Sequence, residues 1–323
     1  MTYRDAGVDL EAAERHVQEI AASVVASWDA EVVGGFGGFA AGVEIPAGYR
    51  RPVLMMSTDG VGTKLELARR ADRWDGVGQD LVAMCVDDLA ALGARPLGMV
   101  DYLAVGSLQP ERDSTIVNSI AAACRLAGCP LLGGETAEHP GVMAPETVDL
   151  AGAAMGVVEK GEELGPHRVE PRDIVVGLSS PNLRSNGFSL VRAVLGDMVG
   201  DHLDDLLQPS VIYTPAVLEA VATGAVHAGA HVTGGGITAN LARALGPDWG
   251  VVIEKGSWER PPVFETVAAA GVTEEEMYRV FNMGIGFCLV VDPDGADPVM
   301  SAVADHRPAK LGEVVDGKGV ELV

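Results

Sequence analysis

Basic residues are scarce: 23 Lys and Arg stand against 46 Asp and Glu in 323 residues, a formal net charge of −23. They are scattered rather than clustered, so the chain lacks the electrostatic footprint of a protein that binds nucleic acid or an anionic membrane surface. An anionic substrate would then need a local basic group or a metal ion. Cysteine is also rare. Cys85, Cys124, Cys129 and Cys288 form no CxxC pair and sit inside apolar runs, which reads as reduced, buried thiols and argues against a zinc site. The opening "MTYRDAGVDLEAAERH" has no basic-then-apolar signal pattern, and no uninterrupted apolar run has spanning length, which points to a cytoplasmic protein. Short-period repeats and low-complexity segments are absent too.

What is present is α/β alternation in a chain long enough for two domains, with 48% hydrophobic residues. Leu10, Ala13, Val17, Ile20 and Val24 recur at helical spacing after the candidate cap Asp9. A glycine-rich connection, "VVGGFGGFAAGVEIP", follows. The pattern then predicts a strand "RPVLMMSTD", a helix over about 80–92 closed by Gly93 and Pro96, and a strand "LGMVDYLAV". A helix from Pro110 to Gly128 and the strands "PLLGG" and "VDLAGAAMGVVEK" complete the first half. The polar stretch "GEELGPHRVEPRD" is the best linker, which places a boundary near residue 165, with domains 1–165 and 166–323. A second α/β series begins at "DIVVGLSS".

The stretch "STDGVGTK" at 57–64 looks at first like a phosphate cradle. It is not a P-loop, because Gly60 and Gly62 are too close together and Lys64 is followed by Leu65. Asp59 at its mouth would repel phosphate unless a cation such as Mg²⁺ lay between them. On the helix "DLVAMCVDDLAALG", a rotation of about 100° per residue puts Asp88 between Leu81, Met84, Cys85 and Leu92, inside an apolar stripe. Asp80 and Asp87 share the neighbouring edge. A carboxylate so placed must be paired, protonated or bound to a cation. The plain alternative is an acid bonding a helix N-terminus or an arginine. In "LLGGETAEHPG", Glu135 follows a strand and a glycine pair as Asp59 follows "VLMMST", and acids at strand ends can converge on one sheet rim. Asp59, Asp88 and Glu135 thus form a candidate oxygen set for Mg²⁺. His231 in "HVTGGG" suits a general acid or base, a phosphate contact, or a strand-end histidine bonding backbone. His16 reads as a surface helix residue.

These motifs, in order from "YRDAGVD" through "GGFGGF", "TDGVGTK", "DLVAMCVDDL", "GARP", "GGETAE", "LVRAVL" and "HVTGGG" to "MYRVFNMGIG", resemble the aminoimidazole ribonucleotide synthetase, or phosphoribosylformylglycinamidine cyclo-ligase, family. The signature Asp, four residues, Gly-Ala-x-Pro is met by Asp88, Gly93, Ala94 and Pro96. The resemblance implies a mixed α/β subunit of two domains, its N-terminal strands completing a dimer-spanning β-barrel and its C-terminal domain a layered α/β unit. It also implies a homodimer and an ATP-dependent ring closure of formylglycinamidine ribonucleotide. ATP phosphates would be held through Mg²⁺ by Asp59, Asp88 and Glu135, with Gly60, Gly62, Thr63, Lys64 and Asp80 nearby. Arg184, Ser185, Asn186, Thr233 and Gly234 would bind the substrate, and Asp59, Asp88 and His231 would serve catalysis.

The chain departs from the family at three positions. Arg184 stands where many relatives have a histidine, Ala21 where many have a lysine, and Met283 where a cysteine is common. Related families that share fragments of the pattern include thiamin-monophosphate kinase and selenophosphate synthetase. The latter is disfavoured because residues 34–42 contain no cysteine. A non-catalytic nucleotide-binding scaffold is the reading from a different class, and intact acids at all three positions argue against it.

Overall fold

The computed structural model describes residues 10–323, so Asp9 and the "YRDAGVD" stretch lie outside the described residues. Helix α1 (Leu10–Val25) leads into a short hairpin, β1 (Val32–Val33) and β2 (Gly42–Val43), inside the glycine-rich connection. Strand β3 (Pro52–Gly60) is followed by α2 (Lys64–Ala71), α3 (Val77–Ala91), β4 (Arg95–Val105), α4 (Pro110–Ala127), β5 (Leu131–Glu138) and β6 (Val148–Glu159). These strands form one sheet in the order β3-β6-β4-β5, with β4 and β5 parallel across the α4 crossover and the other pairs antiparallel.

The two faces of this sheet differ in kind. Along β3 the residues alternate between exposed (52, 54, 56, 58) and half-buried (53, 55, 57), as a strand covered on one side requires. The half-buried side carries the helices: Ser57 on β3 reaches Asp88 on α3, and Thr136 on β5 reaches His16 on α1. The other side is open and apolar. Leu54, Met56, Val100 and Tyr102 stand on it, Met56 with 77% of its surface exposed. His16 is buried rather than on the surface, its ring nitrogens 3.2 Å from Ser114 Oγ and 3.3 Å from Thr136 Oγ1. Glu19, one turn further along α1, shares that buried partner, accepting from Ser114 Oγ at 2.8 Å.

The second sheet follows the order β12-β9-β11-β7-β10-β8. Its strands are β7 (Ile174–Ser179), β8 (Val226–His231), β9 (Trp249–Ile253), β10 (Ile285–Val291), β11 (Ala309–Asp316) and β12 (Gly319–Leu322). All pairs are antiparallel except β12 with β9. Strand β10, "IGFCLVV", is buried at every residue, which explains its continuous apolar run. The helices used below are α5 (Phe188–Leu195), α6 (Leu203–Leu206), α7 (Thr214–Val221) and α8 (Gly236–Leu245).

Helix α3 joins the two halves. It packs on β3 and β6 on one side and on α7 and β8 on the other. Its crossing with α4 is so close that a Cβ on Gly78 would lie 2.2 Å from the backbone nitrogen of Ile120, so only glycine fits there. With both flanks covered, almost every residue of α3 is buried, and the acids it carries need partners from the other half of the chain.

Candidate active site

Helix α3 carries three acids, and the structure sorts them. Asp80 and Asp87 are fully buried, whereas the side chain of Asp88 is 45% exposed. Asp88, expected inside the apolar stripe, is thus the one acid of the three that reaches solvent. Leu92, one wall of the expected stripe, lies just past the helix and is itself exposed.

Asp80 is held by Lys64, whose Nζ donates at 2.9 Å to Oδ1 and lies 2.8 Å from Oδ2, and by the backbone N–H and hydroxyl of Ser210 at 2.8 and 2.6 Å. Lys64 Nζ also donates to the carbonyls of Gln208 (2.7 Å) and Arg184 (3.2 Å). Burial pushes the Lys64 ammonium below its usual range, and the charge of Asp80 opposes that. Three donors and four oxygens leave nothing over for a phosphate. The expectation that Lys64 and Asp80 contact ATP is thus corrected: they form a buried clamp between α2, α3 and the 208–210 loop.

Asp87 repeats the arrangement two turns along. Its Oδ1 accepts from the N–H groups of Tyr213 and Thr214 and from Thr214 Oγ1 at 2.9–3.0 Å, capping the start of α7. Its Oδ2 accepts from Arg184 Nη2 at 2.9 Å. A helix N-terminus and an arginine are the partners considered above for Asp88, and they are found on its neighbour. Arg184 itself is buried, with Nη1 donating to the Val211 carbonyl at 2.9 Å and its guanidinium 4.9 Å from the Tyr213 ring centre. It does not present its charge to a substrate here, which corrects its assignment to substrate binding.

Asp88 turns the other way, into a cleft. Its Oδ1 accepts from His231 Nδ1 at 2.9 Å and its Oδ2 from Ser57 Oγ at 3.3 Å. Partial burial would raise this carboxyl, but the hydrogen bonds from His231 and Ser57, with Arg243 on the rim, hold it below its ordinary value. The cleft has a volume of about 330 Å³ and is lined by Met56, Ser57, Asp88, His231, Asn240 and Arg243 among others, the small end of the range for ligand pockets. Asp59 is half-buried near it, taking the Gly60 N–H at 2.7 Å. Burial raises the Asp59 carboxyl, the Gly60 bond opposes this, and the negative charge of Asp88 raises it further. His231 is buried with both ring nitrogens engaged, so the structure does not offer it to substrate as an acid or base.

Glu135 is elsewhere. Both Asp59 and Glu135 lie within their strands rather than after them. Register runs Asp59, Gly152, Asp101, Gly134 straight across the four strands, so Asp59 and Gly134 are three strand spacings, about 14 Å, apart. Glu135 is one residue further and on the opposite, open face, beside Tyr102. Among the described residues no cluster of three or more His, Cys, Asp or Glu could hold a metal ion. The proposed three-acid set is therefore not assembled within one chain, and a sequence offers no view of which face a strand residue takes when bulges and edges intervene.

The same row holds an acid that sequence reasoning passes over. Asp101 is buried, its carboxylate filling the place of a side chain at Gly134, where a Cβ would lie 2.1 Å from Oδ1. Burial pushes its carboxyl up to about 7, and nearby Glu135 adds to that. An aspartate in mid-strand flanked in register by glycines is the available signal.

The remaining predicted residues gather around two helix starts. Gly60 ends β3 half-buried, and Gly62 and Thr63 lie in the exposed turn before α2, with Thr63 Oγ1 3.1 Å from Ser189 Oγ on α5. Ser185 and Asn186 precede α5, whose N-cap is Gly187. Thr233 and Gly234 precede α8, whose N-cap is Gly235. A Cβ on Gly234 would lie 3.5 Å from Asn186 Oδ1, so the two loops adjoin. Asn240, another missed residue, ties the glycine loop down by donating to the Gly236 carbonyl at 2.8 Å. Ser185 Oγ is buried without a protein partner, and orphaned N–H groups at both helix starts suit an anion.

Residues 37–158 match the family described as "AIR synthase related protein, N-terminal domain", and residues 170–323 match its C-terminal domain. The chain belongs to the AIR synthase related family. Within this family it is 43% identical to a protein of Parasynechococcus marenigrum named phosphoribosylformylglycinamidine cyclo-ligase, over 98% of this chain and 97% of that one. Its fold is similar to thiamine-monophosphate kinase from Stenotrophomonas maltophilia, with TM-score 0.69 at 19% identity over 94% of this chain and 95% of that one. It is also similar to the hydrogenase maturation protein HypE solved in complex with ATP, with TM-score 0.70 at 18% identity over 96% of this chain and 88% of that one. At such identities these two likenesses concern the fold alone.

Proposed function

We propose that this chain catalyses the ATP-dependent closure of formylglycinamidine ribonucleotide to 5-aminoimidazole ribonucleotide, with release of ADP and phosphate. The observation that carries the reading is the 43% identity, end to end, to a cyclo-ligase. ATP is needed because a formamide oxygen is a poor leaving group. Transfer of the γ-phosphoryl group to that oxygen turns it into one that departs as phosphate, and the amidine nitrogen then bonds to the activated carbon to close the ring.

The structure supports a division of labour in that reaction. Asp59 and Asp88 fit a Mg²⁺ ion: Asp88 lines the cleft and Asp59 lies beside it, its carboxyl raised by burial and further by the charge of Asp88, a charge arrangement that a divalent cation relieves. When bound, Mg²⁺ supplies charge neutralisation for the transferred phosphoryl group. Gly62 and Thr63 offer exposed backbone beside those acids, in the turn that Gly60 leads into from β3. Ser185, Asn186, Thr233 and Gly234 suit the substrate's own phosphate, at the paired starts of α5 and α8. The cleft's part is to hold the amidine nitrogen against the carbon it attacks.

The open apolar face of the first sheet supports a homodimer, in which strands of two subunits complete one barrel and cover Leu54, Met56, Val100 and Tyr102. Glu135 shares that face, so any part it takes in nucleotide binding requires the second subunit. Separate sheets before residue 160 and after residue 173 support dividing the chain near 165. No helix among the described residues is long and apolar enough to cross a membrane, which suits a cytoplasmic enzyme of small-molecule metabolism.

The test is release of ADP with and without formylglycinamidine ribonucleotide, with the aminoimidazole product detected. Release that depends on this substrate is expected. Release that responds only to thiamin monophosphate, or to no added acceptor, overturns the reading.

A further inference from the structure

Two acids and a histidine meet around Arg184, and the donor inventory of the cluster fixes where the proton lies. A guanidinium has donors only. Arg184 Nη2 is 2.8 Å from His231 Nε2, so Nε2 must present its lone pair. The ring proton is then on Nδ1, which lies 2.9 Å from Asp88 Oδ1 and donates to it. The His231 ring also stacks on Phe287, with centroids 6.3 Å apart and planes 18° from parallel, which keeps the ring in this plane.

We propose that Arg184 is a positioning residue that sets the Nδ1–H tautomer of His231 and, through that ring, aims the Asp88 carboxylate into the cleft. The arrangement runs from inside to outside. Asp87 anchors Arg184 from one side, and the Val211 carbonyl and the Tyr213 ring hold it from others. Arg184 holds the ring, and the ring holds Asp88, whose side chain is the first in the series to reach solvent. A histidine in place of Arg184 offers a donor or an acceptor according to its own tautomer, whereas arginine permits one answer. The consequence for Asp88 in turnover rests on the functional reading above; the tautomer does not.

The ring is read directly by long-range proton–nitrogen spectra of protein labelled with ¹⁵N-histidine, His231 being assigned by the resonance lost in His231→Gln. The Nδ1–H pattern is expected in the wild-type protein, and the Nε2–H pattern overturns the proposal whatever the activity. The double variant Asp87→Asn/Arg184→Met removes both charges of the buried pair while the amide oxygen introduced at position 87 still accepts from Tyr213 and Thr214. It is expected to lose the single tautomer and at least about tenfold in kcat, with KM for formylglycinamidine ribonucleotide little changed, and Arg184→Lys, still a donor, to keep the wild-type pattern. A folded double variant with wild-type spectrum and kcat overturns the positioning role. Wild-type protein with the Nδ1–H pattern and no substrate-dependent ADP release overturns the cyclo-ligase reading and leaves the tautomer assignment standing.

Discussion

The inner and outer flanks of helix α3 treat the same residue type in opposite ways. On the inner flank, Asp80 and Asp87 are fully buried and each accepts several hydrogen bonds from the C-terminal half of the chain. On the outer flank, Asp88 has two partners and an open side toward a cleft. The difference teaches that burial alone does not mark an acid for chemistry. A saturated buried carboxylate is a joint, whereas one left with unfilled acceptor capacity at a cavity is free to bind something else.

The largest effect expected from breaking this contrast is on the inner flank. Asp87→Ala leaves Arg184 charged and buried while uncapping α7, and a loss of about 3–5 kcal/mol of stability is expected by denaturant unfolding. A loss within about 1 kcal/mol would show that the joint is not one. Lys64→Met, which strands Asp80, is expected to behave alike.

Asp101 gives a pH-dependent effect of somewhat smaller size. Its carboxyl is raised to about 7 in the folded chain, so folding favours the protonated form. Its contribution is fully present below the ordinary carboxylate range and is lost as pH rises to about 7. Asp101→Asn should therefore stabilise the protein at pH 8, by up to about 4 kcal/mol at 1.36 kcal/mol per pH unit, with the gain vanishing towards pH 4. Unfolding midpoints of both proteins across that range check it, and a gain that grows as pH falls has the wrong sign for a buried neutral acid.

The smallest effect is at the paired helix starts. Ser185→Ala removes one donor from the anion site and is expected to raise KM for the ribonucleotide about tenfold, some 1.4 kcal/mol, with kcat nearly unchanged. Steady-state kinetics separates this from a fall in kcat alone, which would place Ser185 with the phosphoryl transfer instead.

Much of this architecture is legible in the sequence. The strand and helix order follows from apolar period and glycine punctuation, as in the fully buried "IGFCLVV" and in the closure of α3 by Gly93, which has a φ of 72°. The glycine loops at 60–63 and 233–235 also lie where their composition puts them, before helices. What the sequence hides is partnership across distance. That Lys64 meets Gln208 and Arg184 meets Asp87 depends on how α3 docks against loops far along the chain. Helical periodicity assigns one apolar stripe to α3, but a helix covered on both sides has two buried flanks, and a single stripe puts the wrong acid in the core. Glu135 is misplaced for a related reason: two acids at strand ends share a rim only when their residues take the same face, and here they do not.

The contrast between the two flanks is tested most directly by thermal melting of Asp88→Asn with and without Mg²⁺ and ATP, beside Asp87→Asn. Asp88→Asn keeps the volume and the hydrogen-bonding capacity at the cleft and removes the charge. Near-native melting without ligand and loss of most of the stabilisation by Mg²⁺ and ATP are expected for Asp88→Asn, while Asp87→Asn should melt early and keep its ligand shift. An Asp88→Asn protein that melts early yet keeps the full shift would contradict the assignment of Asp88 to the nucleotide side of the helix.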